Sequence, residues 1–395
     1  MLLGKLDLGK IGDRLRKVDE FIVKVLGVRL SHGGLSRCVA ESKRKETPDG
    51  IFNKRRQNVE DHRIALMKKW AIENDIDPNF AASIMYQLIA ESCRVQDEIM
   101  YDKYQEHTAN INEEDFDVVY AYQRANLLNL TKKIAPHYDE NYGKGFFGSR
   151  SYFDFEKKVI QEIIKKLPHS DVAIDLGCAT GIISFEIAHA FESVHGYDVS
   201  PTMIDFANSK NTKKDSKNIF LNKDIEEELD LLENSVSLAV MNMGTASEIK
   251  NFSNFLKDLH KCLRPGGKFF LSFYNSESLL SKIGFVPWPM PLAASIDAEK
   301  RCLEVQHNNE LFFLYARPRS VSEVRNLLSD FKIDNILTFP TLSSLLPGVL
   351  MENEDHNGII HQNEAAQIAI KIIDSELSHS ASNCGTYIIV TGEKK

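Results

Sequence analysis

An α/β domain built on a mostly parallel sheet of seven strands, preceded by an all-helical segment, is the fold class this sequence predicts. Three observations carry it. Short apolar runs alternate with amphipathic stretches from about residue 172 onward, the pattern of successive βα units. The first of these runs, Val172 to Leu176, leads straight into a glycine-punctuated turn, Gly177 to Gly181, and then into the amphipathic stretch Ile182 to Phe191. From about Leu6 to Tyr104, by contrast, apolar residues recur every three or four positions, which is helical spacing throughout.

Composition sets the outer bounds. With 395 residues, 43% of them hydrophobic, the chain can bury large cores and is expected to divide into domains. A net charge of −8 provides no global basic field, so nucleic acid is not expected as a partner. Cys38, Cys93, Cys178, Cys262, Cys302 and Cys384 are scattered without a C-x-x-C pair, which suggests a reduced cytoplasmic protein and no metal site. No apolar stretch approaches the roughly 20 residues that span a bilayer, so no membrane partner is expected. Lys5 and Lys10 lead into no apolar signal core.

Taken in order, the helical segment begins with a stripe of Leu15, Val18, Phe21, Ile22, Val25 and Leu26. Glu46 to Gly50 break the chain, and a second helix runs over about 53–74. Asp77 is the expected N-cap of a third helix, with Pro78 at its first position and Phe80, Ile84, Met85, Leu88 and Ile89 on its apolar face. Residues 106–130 read as a connecting segment, helical from Val118 to Leu128.

The second domain spans 131–395. Its expected strands are 172–176, 193–198, 219–224, 236–241, 268–273, 332–337 and 386–391. Helices are expected after Ser200-Pro201 and over 255–263. Two insertions exceed this scheme. Residues 277–319 contain the rigid Pro287-Trp288-Pro289 and strand-like runs at 302–306 and 310–316; residues 339–382 separate the sixth and seventh strands. Insertions beside the carboxyl ends of strands commonly roof an active site.

The glycine turn narrows the chemistry. Its spacing is G-x-x-x-G rather than the G-x-G-x-x-G that accommodates a pyrophosphate, and Asp175 would repel a phosphate but suits an ammonium group. That favours S-adenosylmethionine over a dinucleotide. Asp198, at the end of the second strand, stands near the place where a carboxylate takes both ribose hydroxyls. Asp224 ends the third strand and suits an adenine amino group. With Leu263-Arg264-Pro265-Gly266-Gly267 following in order, residues 131–395 resemble class I S-adenosylmethionine-dependent methyltransferases, which have a Rossmann-like fold. The resemblance implies a cofactor site of Tyr138, Asp175, Gly177, Cys178, Ala179, Gly181, Asp198, Met203, Asp224, Ile225 and Asn242, with Tyr138 as part of a lid. Asn242 to Thr245 stand where enzymes acting on amide or nucleobase nitrogen carry Asn-Pro-Pro-Tyr, so a small-molecule acceptor is expected. No catalytic residue is assigned; His137, His195, His260 and His307 are the imidazole candidates, with His195 and His260 inside regular elements.

The helical segment, over 1–105, resembles the all-helical chorismate mutase family. The match rests on Leu15 to Ile22, Arg29, Val39 to Lys43, Arg55 to Gln57 and Glu91 to Gln96. It implies three helices, a homodimer, and a pocket of Arg29, Lys43, Arg56, Gln57, Ser92 and Gln96 for a dicarboxylate whose rearrangement needs confinement and cations. Gly12 falls where the family carries an arginine, Asn53 and Gln57 replace acidic residues, and Ser31 to Gly34 insert into the first helix. The helical domain is expected to give dimerisation and part of the substrate pocket of a small-molecule methyltransferase. The alternatives left open are a bifunctional enzyme, a helical domain acting only as a sensor or dimeriser, or use of S-adenosylmethionine for a transfer other than methyl.

Overall fold

The computed structural model describes residues 8–31, 34–46, 57–85, 88–89, 91–92, 95–96, 116–140, 147–212, 216–227, 229, 231–279, 292–297, 301–307, 310–345, 363–380 and 383–395. The chain separates into two compact units, one of residues 1–117 with 308–311 and one of 118–307 with 312–395.

The first unit is helical. Helix α1 covers Leu8–Leu30, α2 Leu35–Glu46 and α3 Gln57–Glu73, and residues 78–85 are helical as well. The chain breaks between α1 and α2 at the expected insertion, where the Gly34 amide turns back onto the Ser31 carbonyl at 2.7 Å. Asp77 caps the following helix as its sequence suggests, its Oδ1 accepting from the Phe80 amide at 2.7 Å. Along α1 the apolar stripe faces solvent: Leu15, Val18, Phe21, Ile22 and Val25 are all about half exposed or more.

The second unit is an α/β layer structure. Its strands are β1 (Val172–Leu176), β2 (Ser193–Asp198), β3 (Asn218–Asn222), β4 (Val236–Met241), β5 (Leu263–Tyr274), β6 (Leu292–Asp297), β7 (Cys302–His307), β8 (Glu310–Tyr315), β9 (Phe331–Phe339) and β10 (Tyr387–Lys394). Seven form one sheet in the order β3-β2-β1-β4-β5-β10-β9, and β6-β7-β8 form a separate small sheet. β3, β2, β1, β4 and β5 are mutually parallel, while β10 runs antiparallel to both β5 and β9. Strand order reverses between β1 and β4, so the crevice at their carboxyl ends is the natural ligand site of the fold.

Helices on both faces explain why the central strands are continuously apolar. They are α4 (Phe116–Ile134), α5 (Phe147–Ile164), α6 (Ile182–Ile187), α7 (Pro201–Lys210), α8 (Phe252–Cys262), α9 (Val321–Leu327), α10 (Leu342–Leu345) and α11 (Glu364–Ser380). β5 shows the division of the core: Phe269, Leu271 and Phe273 pack with Phe255 and Leu259 of α8, while Phe270 packs with Tyr152 and Ile160 of α5. The helix expected over 182–191 tightens into a 3-10 turn at Ala188–Ala190.

Three elements differ from the sequence reading. α4, expected to belong to a connecting segment, docks onto the α/β unit because Leu130 and Ile134 are buried in its core and Thr131 hydrogen-bonds Ser200 at 2.9 Å. α5 begins inside a glycine-rich stretch that reads as a loop. α11 occupies the end of the second insertion, where the buried Asp374 accepts from the amides of Thr341 and Ser343 at 2.9 and 3.1 Å and so caps α10. Among the described residues, no helix is long and apolar enough to cross a membrane.

Candidate active site

The site is built from the turn between β1 and α6. Gly177 and Gly181 have φ of 75° and 83°, the left-handed region that glycine enters without penalty. Space demands glycine too: a Cβ would come within 2.7 Å of the Thr245 side chain at position 177, and within 2.7 Å of the Phe220 ring at position 181. The amides of Gly177 and Cys178 both donate to the Tyr197 carbonyl, at 2.8 and 2.9 Å, which ties the turn to the end of β2. Ala179 also has positive φ, 47°, and its amide is held by Asp198 Oδ2 at 2.9 Å.

Asp198 thus serves as a hub. Its other oxygen, Oδ1, accepts from the Ser200 amide at 2.8 Å, and Ser200 in turn caps α7 through the Met203 amide. Burial raises the carboxyl above the usual aspartate range, opposed by those two amides and by Arg124. Asp175 is buried at 1% exposure; Oδ2 accepts from the Ser184 hydroxyl at 2.6 Å, while Oδ1 has no hydrogen-bond partner. Burial pushes its pKa up to about 6. Asp224, beyond β3, accepts from the Glu226 amide at 3.0 Å and is ion-paired with Arg124 of α4. Tyr120, one turn earlier on α4, donates to Glu226. Ile225 packs partly buried against the main core.

A roof closes over this turn. Tyr138 and Ala179 pack against a cluster formed by Leu130 and Ile134 of α4, Met203 of α7, Tyr274, and Leu303, Val305, Phe312 and Leu314 of the small sheet. Asp139, next to Tyr138, reaches the glycine turn itself: Thr180 donates to its Oδ1, and Lys210 meets its Oδ2 at 2.6 Å. Pro287 to Pro289, the aromatic segment of the first insertion, lies outside the described residues.

The opposite wall is the loop after β4. Asn242 is buried and its carbonyl accepts from the Thr245 amide at 3.0 Å. Met243 and Gly244 follow with φ of 53° and 81°. Their amides are held at 3.0 Å by Glu156 Oε1 of α5 and by Ser272 Oγ of β5, and Ser272 bonds Tyr152 at 2.6 Å. Complete burial raises Glu156 to about 8, so it is neutral near pH 7. Glu248, farther along the same loop, accepts from the Tyr274 hydroxyl at 2.9 Å; burial and the Asp198 charge lift it to about 7, opposed by Tyr274 and Arg124.

The structure therefore gathers Tyr138, Asp175, Gly177, Cys178, Ala179, Gly181, Asp198, Met203, Asp224 and Asn242 around one carboxyl edge. Three of the four imidazole candidates are not so gathered. His137 is exposed beside Glu140, His195 lies within β2, and His260 packs edge-on against Phe331 at 5.4 Å. Sequence reading missed Arg124, Asp139, Glu156 and Glu248; for Asp139 the neighbouring Tyr138 was a signal.

In the helical unit, Arg29 Nε donates to the buried Ser92 hydroxyl at 3.1 Å, and Gln96 Nε2 donates to the Ser92 carbonyl at 3.0 Å. Lys43 is half-buried on α2, Gln57 opens α3, and Arg56 lies outside the described residues.

The residues fit S-adenosylmethionine. A carboxylate hub stands beside a turn whose positions 177 and 181 admit no Cβ, a second acid follows β3, and Asp175 Oδ1 is a buried acceptor with no partner. Comparison with known proteins agrees over the core of this region: residues 173–267 match the methyltransferase domain family. No protein of curated function matches the chain by sequence. Among solved structures, the chain is similar to an S-adenosylmethionine-dependent methyltransferase from Clostridium acetobutylicum (14% identity, 66% of this chain and 98% of that one, TM-score 0.44). It is similar also to one from Mesorhizobium loti (18%, 59% and 96%, 0.36) and to one from Methanosarcina mazei (18%, 59% and 97%, 0.36).

Proposed function

Residues 173–267 match the methyltransferase domain family, and from that premise we propose that the protein uses S-adenosylmethionine to methylate a small-molecule acceptor in the cytoplasm. The observation that carries the reading is the set of acids at the carboxyl ends of β1, β2 and β3 around a turn that only glycine fits at positions 177 and 181. The cofactor supplies an electrophilic methyl group on a sulfonium.

The chain's own residues supply position and protons. Asp198 keeps lone pairs for the ribose hydroxyls while two amides fix its orientation. Asp175 Oδ1 is left to take the ammonium group. Asp224 faces the adenine side and shares Arg124, which holds the negative edge together before the nucleoside enters. Tyr138, Cys178, Ala179, Met203, Ile225 and Asn242 complete the walls. Glu156 and Ser272 hold the loop after β4 in its left-handed conformation. On that loop Glu248, poised near neutrality, is the group suited to take the acceptor's proton. Scattered free thiols, including Cys178, Cys262 and Cys302, fit a reducing compartment.

For the helical unit we propose a chorismate mutase-like domain that forms a homodimer. The exposed apolar stripe of α1 is the surface that a second copy would cover. One observation favours a second activity: Arg29 and Ser92, both expected in a dicarboxylate pocket, are hydrogen-bonded across 63 positions of sequence. Loss of chorismate absorbance above background is expected if the pocket rearranges it; no loss leaves the unit as a sensor or dimeriser.

Calorimetry with S-adenosylhomocysteine tests the cofactor site, and labelled S-adenosylmethionine incubated with a small-molecule extract tests the reaction. A product heavier by one methyl supports methylation, whereas a product carrying another carbon of the sulfonium replaces that reading. No binding and no labelled product would overturn both.

A further inference from the structure

At the same carboxyl edge, beside the loop after β4, lies a cavity of about 470 Å³ lined by Lys250, Asn251 and Phe252 at the start of α8, by Arg317 and Arg319 before α9, and by Glu323. Its volume falls within the range of small-ligand sites. Arg319 is its unusual member. The side chain is 2% exposed, yet no carboxylate of the described residues forms an ion pair with it. Its Nη1 donates to the carbonyls of Ala246 and Arg317, at 3.2 and 3.3 Å, and the guanidinium lies 4.9 and 5.6 Å from the ring centres of Phe252 and Phe273. Those contacts orient the fork but give it no direct ion pair, only the more distant pull of the Glu323 charge, and a buried charge without a contacting counter-ion is costly.

The surroundings add to the positive field. Arg317 is exposed on the rim, and Lys250 lies over the Tyr120 ring at 5.1 Å. At the amino end of α8 the Asn251 side chain makes no cap, and the Asn251 amide donates to Glu226 Oε2 at 3.2 Å. The one acid, Glu323, is engaged: its Oε2 accepts from the Ser320 amide at 2.7 Å in a capping box. Burial and Arg317 lower Arg319 to about 10, so it remains a cation near neutrality. Three cations surround the cavity, while its lining carboxylate Glu323 is committed to a capping box and the neighbouring Glu226 to the Tyr120 hydroxyl and the Asn251 amide; the cations left over make a socket for an oxyanion.

We propose that this cavity binds the phosphate or carboxylate group of a small-molecule ligand, with Arg319 as the anchoring cation. The site stands on the cavity alone. Resting further on the methyl-transfer reading, it makes that ligand the acceptor, because the loop from Asn242 to Asn251 joins the cavity to the cofactor side.

Calorimetry of the full chain at low ionic strength, with inorganic phosphate and separately with malonate, tests this. Saturable binding of either is expected, and the tighter of the two identifies phosphate or carboxylate as the preferred group. Arg319→Gln should abolish it and Arg317→Gln should weaken it about tenfold, a change of about 1.4 kcal/mol. Binding of S-adenosylhomocysteine should stay within about threefold of wild type in both variants, roughly 0.7 kcal/mol. If Arg319→Gln fails to fold, Arg317→Gln with malonate and phosphate decides the matter. Absence of saturable binding by wild type, or binding untouched by these substitutions, overturns the site. Failure of the cofactor reading shows separately, as loss of S-adenosylhomocysteine binding by wild type.

Discussion

Replacing Asp198 by asparagine keeps the shape of the side chain and removes its double acceptor character. In the wild type the two carboxylate oxygens each take a backbone amide, from Ala179 at 2.9 Å and from Ser200 at 2.8 Å. An asparagine offers one oxygen and one NH2, so one of those amides must face another donor. The turn loses one charge-assisted bond, worth about 1.5–3 kcal/mol, and a ribose hydroxyl loses a charged acceptor of similar strength. At about 1.4 kcal/mol per decade, affinity for S-adenosylhomocysteine should fall about 10–100-fold in calorimetry. The unfolding midpoint should drop by only a few degrees, so the variant remains testable. A pH series adds a second readout. Because burial raises the Asp198 pKa, wild-type affinity should fall on acidification at a pH above the usual aspartate range, while the asparagine variant keeps only the fall caused by protonation of Asp175 near pH 6. A folded variant that binds within about threefold of wild type would refute the hub.

Other perturbations separate the remaining parts. Gly181→Ala combines a left-handed φ with a contact 2.7 Å from Phe220, so urea unfolding should show a loss of about 2–4 kcal/mol; a loss under about 0.5 kcal/mol would contradict the cradle. Glu156 has its pKa raised from 4.5 to about 8, so between those values the unfolded chain releases a proton that the folded chain keeps, and wild-type stability falls as pH rises. Glu156→Gln lacks this loss, and its advantage should grow across that window by at most about 1.4 kcal/mol per pH unit; a constant difference would show that Glu156 does not titrate there. Glu248→Gln should lower kcat about 10²–10⁴-fold and remove a rate limb near pH 7, whereas an unchanged profile would exclude it as base. Phe21→Glu, on the exposed stripe of α1, should convert a dimer to a monomer in light scattering, and a variant that stays dimeric would place the interface elsewhere.

What the residues announced in advance was local. β1 and β4 were readable from end to end because each is a short, mostly apolar run bounded by turn residues and buried on both faces, while β2, only half of whose residues are buried, was readable from its terminal acid and the Ser200-Pro201 signal after it. Asp198 was readable because a βα unit sets its distance from the glycine turn. Arg124 was not, since its partner Asp224 is 100 positions away and α4 lacks any motif that marks it as part of the site. Glu156 was hidden in the same way, 87 positions from the Met243 amide and on a helix whose first turn is rich in glycine and aromatic residues. Arg319 sat inside an insertion that sequence could bound but not fold. Tertiary pairing decides such groups, and periodicity says nothing of it.

The most direct test of methyl-donor binding at the β1–β4 crevice is a crystal grown with S-adenosylhomocysteine. Density is expected with the ribose hydroxyls on Asp198, the adenine on the Asp224 side and the ammonium toward Asp175, beneath the small sheet. Ligand density elsewhere on the chain, or an empty crevice at saturating ligand, would contradict the assignment.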